Sequence, residues 1–141
     1  MATVTGTKVS ATVQARAGIK IVEVVSVFAV PVTGDGSAAN DIIQMVKVPS
    51  GATILDVTMA CTDIDTGTPA VALQVGDGGS ATRFIGTSTI GQGGGVARLD
   101  QFGGLGYKYT ADDTIDVKIS TVAATKAAGT LTLVARYTLD P

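Results

Sequence analysis

Apolar and polar residues alternate with a period of two over the last part of this chain. In "TIDVKIS", residues 114–120, the isoleucines and the valine share one face, and the aspartate and the lysine share the other. In "TLTLVARYTL", residues 130–139, every second position is again apolar or aromatic. Because successive side chains of a β-strand point to opposite faces of a sheet, this pattern predicts strands that each have one buried face.

A segment nearer the middle of the chain continues the alternation. In "ATILDVTMAC", residues 52–61, the pattern places Leu55, Val57, Met59 and Cys61 on one buried face. The alternate apolar residues of the following "AVALQV" segment are predicted to be buried in the same way. The sequence therefore predicts at least four half-buried strands.

The segment "IKIVEVVSVFAVPV", residues 19–32, is apolar at odd and even positions alike. A strand with two apolar faces is typical of a sheet position that is covered on both sides. We therefore predict a central strand, with the opposing sheet over one face and a neighbouring subunit over the other.

Composition points to the same class of fold. The chain has 20 threonines and 18 glycines but a single glutamate, Glu23. A helical protein would use glutamate, lysine and leucine freely on its helix surfaces, whereas threonine and valine suit strands. We predict an all-β fold: a single antiparallel β-sandwich or jelly-roll domain over residues 19–141, preceded by a short N-terminal arm over residues 1–18.

The stretch "GDGGSATRFI", residues 76–85, resembles a phosphate-binding loop in its glycines. Such loops lie between a strand and a helix, whose N-terminal N–H groups hold the anion. Here the chain returns to strand-like residues within a few positions. Because Asp-Gly between apolar segments is a common hairpin signal, we predict a hairpin turn.

A second acidic turn, "CTDIDTGTPA", raises the question of calcium. Asp63 and Asp65 have the spacing of the first ligands of a calcium loop, but Gly67 stands at the third acidic position and no glutamate closes the loop. Half of the coordination shell is therefore missing. We predict that both aspartates bond to nearby backbone N–H groups, and a surface calcium ion remains the alternative.

The residues needed for most enzyme chemistry are scarce. The chain has no histidine and one cysteine, Cys61, which falls on the buried face of its strand. It has three phenylalanines, three tyrosines and no tryptophan, which is few for a site that stacks on sugars or bases. A net charge of −2 gives no general attraction to nucleic acid or anionic membranes. We therefore expect no enzyme activity, no cofactor, no bound metal, and neither nucleic-acid nor membrane partners.

A longer stretch of the sequence resembles a known family. Residues 38–85, "AANDIIQMVKVPSGATILDVTMACTDIDTGTPAVALQVGDGGSATRFI", combine a Pro-x-Gly-Ala turn, a Leu-Asp-Val strand, an Asp-rich turn ending in Gly-Thr-Pro-Ala, and a Val-Gly-Asp-Gly turn. This pattern resembles that of small head proteins of tailed bacteriophages. The later segments "GYKYTADDTIDVKI" and "GTLTLVARYTL" fit its closing strands. These motifs are turn and strand signatures and include no catalytic residue.

The resemblance implies a capsid decoration, or cement, protein. Such proteins are β-sandwich or jelly-roll domains, commonly homotrimers, that bind the major capsid protein on the outer surface of the virion and stabilise the expanded shell. The chain would then be made in the cytoplasm of a bacterial host, which agrees with the absence of a signal-peptide apolar segment at its start. Two alternatives remain open: a glycan- or receptor-binding module of a phage tail or fibre, and another minor virion structural protein.

Two sets of residues are candidates for contacts with partners. The glycine-rich segment 86–106 contains four apolar residues, which we predict to lie at an oligomer interface: Val96, Leu99, Phe102 and Leu105. The beginning of the chain is basic and has no acidic residue before Glu23. We predict that this arm contacts the capsid through Lys8, Arg16 and Lys20.

Overall fold

The structure, a computed structural model, describes residues 1–8 and 20–139, and the side chains of residues 1–4 and 20–139. These ranges form nine β-strands and no helix, so none of the described residues belongs to a helix that could cross a membrane. The strands are β1 Thr3–Lys8, β2 Lys20–Val30, β3 Ile42–Val48, β4 Ala52–Cys61, β5 Ala72–Gly76, β6 Ile85–Ser88, β7 Gly95–Arg98, β8 Asp113–Thr121 and β9 Gly129–Leu139. The predicted all-β sandwich is confirmed.

The strands form two sheets that pack face to face. The five-stranded sheet has the order β1-β3-β8-β5-β6, and the four-stranded sheet has the order β2-β9-β4-β7. Neighbouring strands are antiparallel except β1 and β3, which run parallel. Only β5 and β6 follow one another within one sheet. All other connections pass from one sheet to the other, which is the arrangement of a jelly roll.

The core lies between the two sheets and consists of the inward side chains predicted from the alternation. The buried side chains of β8 and β9 are Ile115, Val117, Ile119, Leu131, Leu133, Ala135 and Tyr137. Side chains from β2 to β6 and from the connecting loops complete the cluster. Burial of these apolar side chains is the main favourable term that holds the sheets together.

The prediction for β4 is wrong at one position. Val57, Met59 and Cys61 are buried as expected, but Leu55 is only partly buried and Ile54 is buried instead. A register shift between Ile54 and Asp56 in the β4–β9 pairing explains the difference. A β-bulge adds one residue to a strand, so the inward positions change from odd to even across it.

The predicted central position of β2 is also wrong, because β2 lies at an edge of the four-stranded sheet. Its inward residues Val24 and Val30 are buried, which explains one of its two apolar faces. The other face is exposed in the single chain, with Ile21 66%, Val25 47% and Val27 37% exposed. Its predicted contact with a neighbouring subunit remains a prediction.

Candidate interaction surfaces

The turn between β5 and β6 contains the acidic residue of "GDGG". Asp77 Oδ1 accepts the N–H groups of Gly79 and Ser80 at 3.0 and 2.9 Å. Gly76 is required next to it, because a Cβ there would overlap the carbonyl oxygen of Ser80. The predicted hairpin is confirmed by the antiparallel pairing of β5 and β6. In this loop, backbone N–H groups that a phosphate would need donate to the chain's own carboxylate.

The other oxygen of Asp77 joins this turn to a distant part of the chain. Asp77 Oδ2 accepts the Nε–H of Arg83 at 2.5 Å and the hydroxyl of Tyr109 at 2.9 Å. The Arg83 guanidinium lies 3.9 Å from the centre of the Tyr107 ring. Burial and the charge of Asp77 raise the pKa of Tyr109, which therefore stays a neutral hydrogen-bond donor. The cluster is a structural brace, in which both oxygens of Asp77 accept hydrogen bonds from the chain itself.

The chain between β7 and Tyr109 lies along the edge of β4. Backbone carbonyls of β4 accept the N–H groups of Leu99 and Gly106, at 2.8 and 2.9 Å. Between these two bonds, residues 100–105 leave β4 and reach towards the other sheet, where their first N–H donates to Phe84 at 2.9 Å. We call residues 100–105 the tip.

The backbone of the tip is fixed by close packing. A Cβ on Gly104 would overlap the carbonyl oxygen of Arg83 and would lie 2.9 Å from the ring of Phe84. The tip therefore rests directly on the chain that leads into β6. These contacts hold the backbone from which the exposed side chains of the tip project.

Three of the four predicted interface residues are exposed on this side of the sandwich. Phe102 is fully exposed, and Leu105 and Val96 are 64% and 61% exposed. Leu99 is instead half-buried and packs against the core. The segment is ordered by β6, β7 and contacts within its own chain, so a neighbouring subunit is not needed to order it. Contact with a neighbour remains a prediction for the exposed residues.

A second exposed apolar surface is the outer face of β2, the face that the sequence assigned to contact with a neighbouring subunit. It comprises Ile21, Val25 and Val27, and we call it the β2 stripe. The signal was present as the apolar outer face of residues 19–32, but it was interpreted as a property of a central strand. On this outer face, Val25 pairs with Val134 of the neighbouring strand β9. The apolar surface therefore extends from the edge strand toward the middle of the sheet.

The five-stranded sheet presents a different outer face. Apart from Ile42, the half-buried residues on its middle strands are polar: Gln44, Gln74, Asp113, Thr114, Asp116, Lys118 and Ser120. Exposed large apolar side chains in the described ranges are therefore concentrated on the four-stranded sheet and the tip. An uneven distribution of this kind indicates where a protein contacts others.

The three basic candidates of the arm have different positions. Lys8 is the last residue of β1, and its side chain lies outside the described residues, as does Arg16. Lys20 begins β2, and its Nζ is buried without a hydrogen-bond partner. The structure does not bring the three ammonium and guanidinium groups together on one described surface.

The first residues of the predicted arm are part of the sandwich, because β1 pairs with β3. Asp41, which is 1% exposed, fixes this pairing by accepting the N–H groups of Ala2, Gly36 and Ala38 at 2.8–3.0 Å. Burial by itself would raise the pKa of Asp41, but these backbone hydrogen bonds outweigh it and lower the pKa. The charged carboxylate therefore stabilises the strand pairing.

We expect Asp41→Ala to release β1. Three buried or partly buried N–H groups would lose their acceptor, so the hydrogen bond that places Ala2 beside β3 would be lost. Amide hydrogen exchange should become faster across Thr3–Lys8 and remain slow in β8. Asp35→Ala, in the same loop but exposed, is the control; equal exchange in both variants would contradict this role.

The two aspartates of "CTDIDTGTPA" make the local backbone bonds predicted from the sequence. Asp63 accepts the N–H of Asp65 at 3.2 Å, and Asp65 accepts the N–H of Gly67 at 2.9 Å. Asp65, which is fully buried, also accepts the N–H groups of Val71 and Thr125 at 2.7 and 3.0 Å. Its oxygens thus tie together two loops at one end of the sandwich. Within the described ranges, no three Asp, Glu or Cys side chains converge as metal ligands would.

The ionisation of Asp116 makes the free energy of unfolding depend on pH. Burial, together with the charges of Asp113 and Asp77, raises its pKa to about 6, although a hydrogen bond from Thr114 acts in the opposite direction. The native state therefore binds a proton more readily than the unfolded state, whose aspartates titrate near 4. The contribution of Asp116 is most favourable below about pH 4 and becomes unfavourable as the pH rises through about 6.

We expect Asp116→Asn to raise the free energy of unfolding at pH 7.5 by on the order of 1 kcal/mol. At pH 4 the variant and the parent protein should be nearly equal, because Asp116 is then neutral in the native state. Urea unfolding at several pH values measures the difference between the two proteins. A difference that does not change with pH would contradict the raised pKa.

Comparison with solved structures finds this jelly roll in virus shells. A chain in the capsid of Ralstonia phage GP4 superposes with a TM-score of 0.83 over 99% of each chain, at 23% identity. A chain in the capsid asymmetric unit of cyanophage Pam1 gives 0.76 over 93% of each, at 29% identity. The capsid of Helicobacter pylori bacteriophage KHP30 gives 0.58 at 14% identity, over 86% of this chain and 94% of the other.

This is a fold of phage capsid proteins. The resemblance to phage head proteins predicted from residues 38–85 is thus confirmed. No protein-family model matches the sequence, and no curated protein sequence is similar to it. The structural similarity to capsid proteins supports a structural role in the virion.

Proposed function

We propose that this chain is a capsid decoration protein that binds the major capsid protein on the outside of the assembled shell. The observation that carries the proposal is the match, over nearly the whole chain, to chains in two phage capsids. The match covers 93–99% of both chains, so this domain corresponds to nearly the whole of a chain in each capsid structure.

The surface features support attachment to other proteins. The tip and the β2 stripe expose large apolar side chains from backbone that is already ordered. A rigid surface of this kind loses little conformational entropy when it binds. A protein that binds only the expanded lattice stabilises that lattice by mass action, and many copies multiply the effect.

The chemistry of the chain supports a structural role without catalysis. The one cysteine, Cys61, is buried, and burial together with the charge of Asp63 raises the pKa of its thiol to about 11. The thiolate is the reactive form of cysteine, and it is scarce at neutral pH with such a pKa. The carboxylate of Asp77 likewise has both oxygens bonded within the chain.

Copy number tests the proposed function. Quantitative mass spectrometry of purified virions should give a ratio to the major capsid protein that approaches the number of capsomer junctions. We further propose that the copies are homotrimers, placed where capsomers meet. A few copies per particle, as expected for a tail or fibre component, would contradict the decoration role.

The basic residues of the arm are proposed to face acidic groups of the shell. We expect Lys8→Gln combined with Arg16→Gln to weaken capsid binding at low salt and to reduce its dependence on salt. Attraction between surface charges is screened over about 8 Å at physiological ionic strength, so the parent protein should lose affinity as salt rises. Binding measured from 50 to 500 mM salt gives the slopes, and Lys47→Gln combined with Lys108→Gln is the control with the same charge change. Parallel curves for parent and Lys8/Arg16 variant would contradict the docking role of the arm.

A further inference from the structure

The exposed apolar residues lie on two opposite edges of one sheet. In the order β2-β9-β4-β7, the β2 stripe lies on the first strand, and Val96 lies on the last. The tip follows directly after β7 on that same edge. The exposed large apolar side chains in the described ranges are Met1, Ile21, Val25, Val27, Val32, Val96, Phe102 and Leu105. Six of these eight lie on the two edges.

The two surfaces differ in shape. The β2 stripe is a shallow row of branched side chains that covers about 20 Å along one strand, given the rise per residue of a β-strand. The tip is a projection: Phe102 is fully exposed, and Leu105 is exposed beside it. A projecting aromatic side chain and an apolar row are complementary in shape, whereas two projections or two rows of this kind are less so.

The charges around the stripe are neutralised within the chain. Glu23, which lies between Ile21 and Val25, accepts two hydrogen bonds from the Arg136 guanidinium, at 3.0 and 3.2 Å. A surface that carries an internal ion pair and apolar side chains favours a partner that is apolar and uncharged. The tip residues from Gln101 to Leu105 carry no charge.

We propose that the tip of one copy packs on the β2 stripe of a second copy of this chain, in a head-to-tail contact. Phe102 and Leu105 of one copy would cover Ile21, Val25 and Val27 of the next. Because each copy has one tip and one stripe on opposite edges, the contact repeats from copy to copy. Such a contact closes into a ring when the rotation between copies allows it. The inference deepens the proposed homo-oligomer and rests on it.

In the alternative arrangement, the tip contacts the tip of a second copy, or the β2 stripe contacts the second β2 stripe. The surface that is not used in such a contact would stay exposed. In a closed head-to-tail ring, both apolar surfaces of each copy are buried. Phe102 then has the position of an anchor residue, since aromatic side chains in buried pockets supply much of the energy at interfaces.

Chemical crosslinking of free protein tests the contact. Two variants that keep the contact residues are prepared, Gly103→Cys beside Phe102 and Ala29→Cys beside Val27, and are treated separately and as a mixture with a short thiol-specific crosslinker. We expect a covalent dimer in the mixture and only background in either variant alone. The native Cys61 is buried and does not compete. Lys47→Cys mixed with Gly103→Cys is the control, because Lys47 is exposed on the other sheet.

Three outcomes would overturn the proposal. Crosslinking of Ala29→Cys with itself would place two β2 stripes together, and crosslinking of Gly103→Cys with itself would place two tips together. Equal background in all samples would mean that the two surfaces do not meet. The measurement uses no capsids, so its result is independent of the proposed function. The crosslink can be absent while the protein still binds capsids, and it can form while capsid binding is absent.

The strength of the contact is measured by sedimentation. We expect Phe102→Ser to weaken self-association by about 30-fold, the loss typical of one anchor residue. Val32→Ser is the matched control, since Val32 is 44% exposed but lies outside both surfaces. Equal dissociation constants for the two variants would contradict the role of the tip.

Discussion

Replacing Asp77 with asparagine should lower the free energy of unfolding by about 3 kcal/mol and the melting temperature by roughly 10 °C. The Asp77 side chain is 1% exposed, and that of Arg83 is 20% exposed. Removal of one partner of a buried ion pair leaves the other charge without compensation. The hydroxyl of Tyr109 would also lose its charged acceptor. Thermal and urea unfolding measure the loss.

The matched control for this change is Asp56→Asn. Asp56 lies 3.8 Å from Arg98, and the two side chains are 40% and 74% exposed. An ion pair with this exposure contributes about 0–1 kcal/mol, so the control should stay close to the parent protein. A loss for Asp77→Asn no larger than that for Asp56→Asn would show that the cluster does not brace the turn.

The second large effect is expected for Gly104→Ala. The added methyl group would overlap the carbonyl oxygen of Arg83. This oxygen belongs to the backbone, so a side-chain rotation cannot relieve the overlap. Overpacking of this kind costs about 1–3 kcal/mol, and here it would also displace the tip. We expect both a lower free energy of unfolding and weaker self-association, because Phe102 and Leu105 would no longer be held in place.

The neighbouring Gly103 provides the comparison. A Cβ on Gly103 meets nothing within 4 Å, so Gly103→Ala should leave stability within about 0.5 kcal/mol of the parent. Urea unfolding of both variants gives the stability difference, and sedimentation gives the association constants. Similar behaviour of the two alanine variants would contradict a tip held by close packing on Arg83.

The alternation of apolar residues was enough to predict the fold class. A pattern with a period of two residues indicates which side chains of a strand are buried, and this inference does not require the order of the strands. It failed at Leu55, since a β-bulge depends on how β4 pairs with β9, and the pairing is not visible in one strand. It failed in a different way for β2. An apolar outer face has the same sequence pattern whether it is covered by its own chain or is exposed for a partner.

The candidate surfaces were predictable only in part. Glycine-rich sequence around Phe102 and Leu105 indicated two residues that solvent-exposed loops seldom need, and both are exposed. Asp77 was recognised as a turn residue, but its bond to Tyr109, 32 residues away, depends on the tertiary fold. The role of Asp41 was not predicted, because its partners Ala2 and Gly36 donate backbone N–H groups that have no sequence signature.

The most direct test of the account is the addition of purified protein to shells of the major capsid protein encoded in the same genome, prepared without this protein in expanded and unexpanded forms. We expect saturable co-sedimentation with the expanded shells, at a stoichiometry that matches the capsomer junctions. Electron cryo-microscopy should show the added density on the outer surface. Binding that does not saturate, that favours unexpanded shells, or that places the density at the tail would contradict a decoration role.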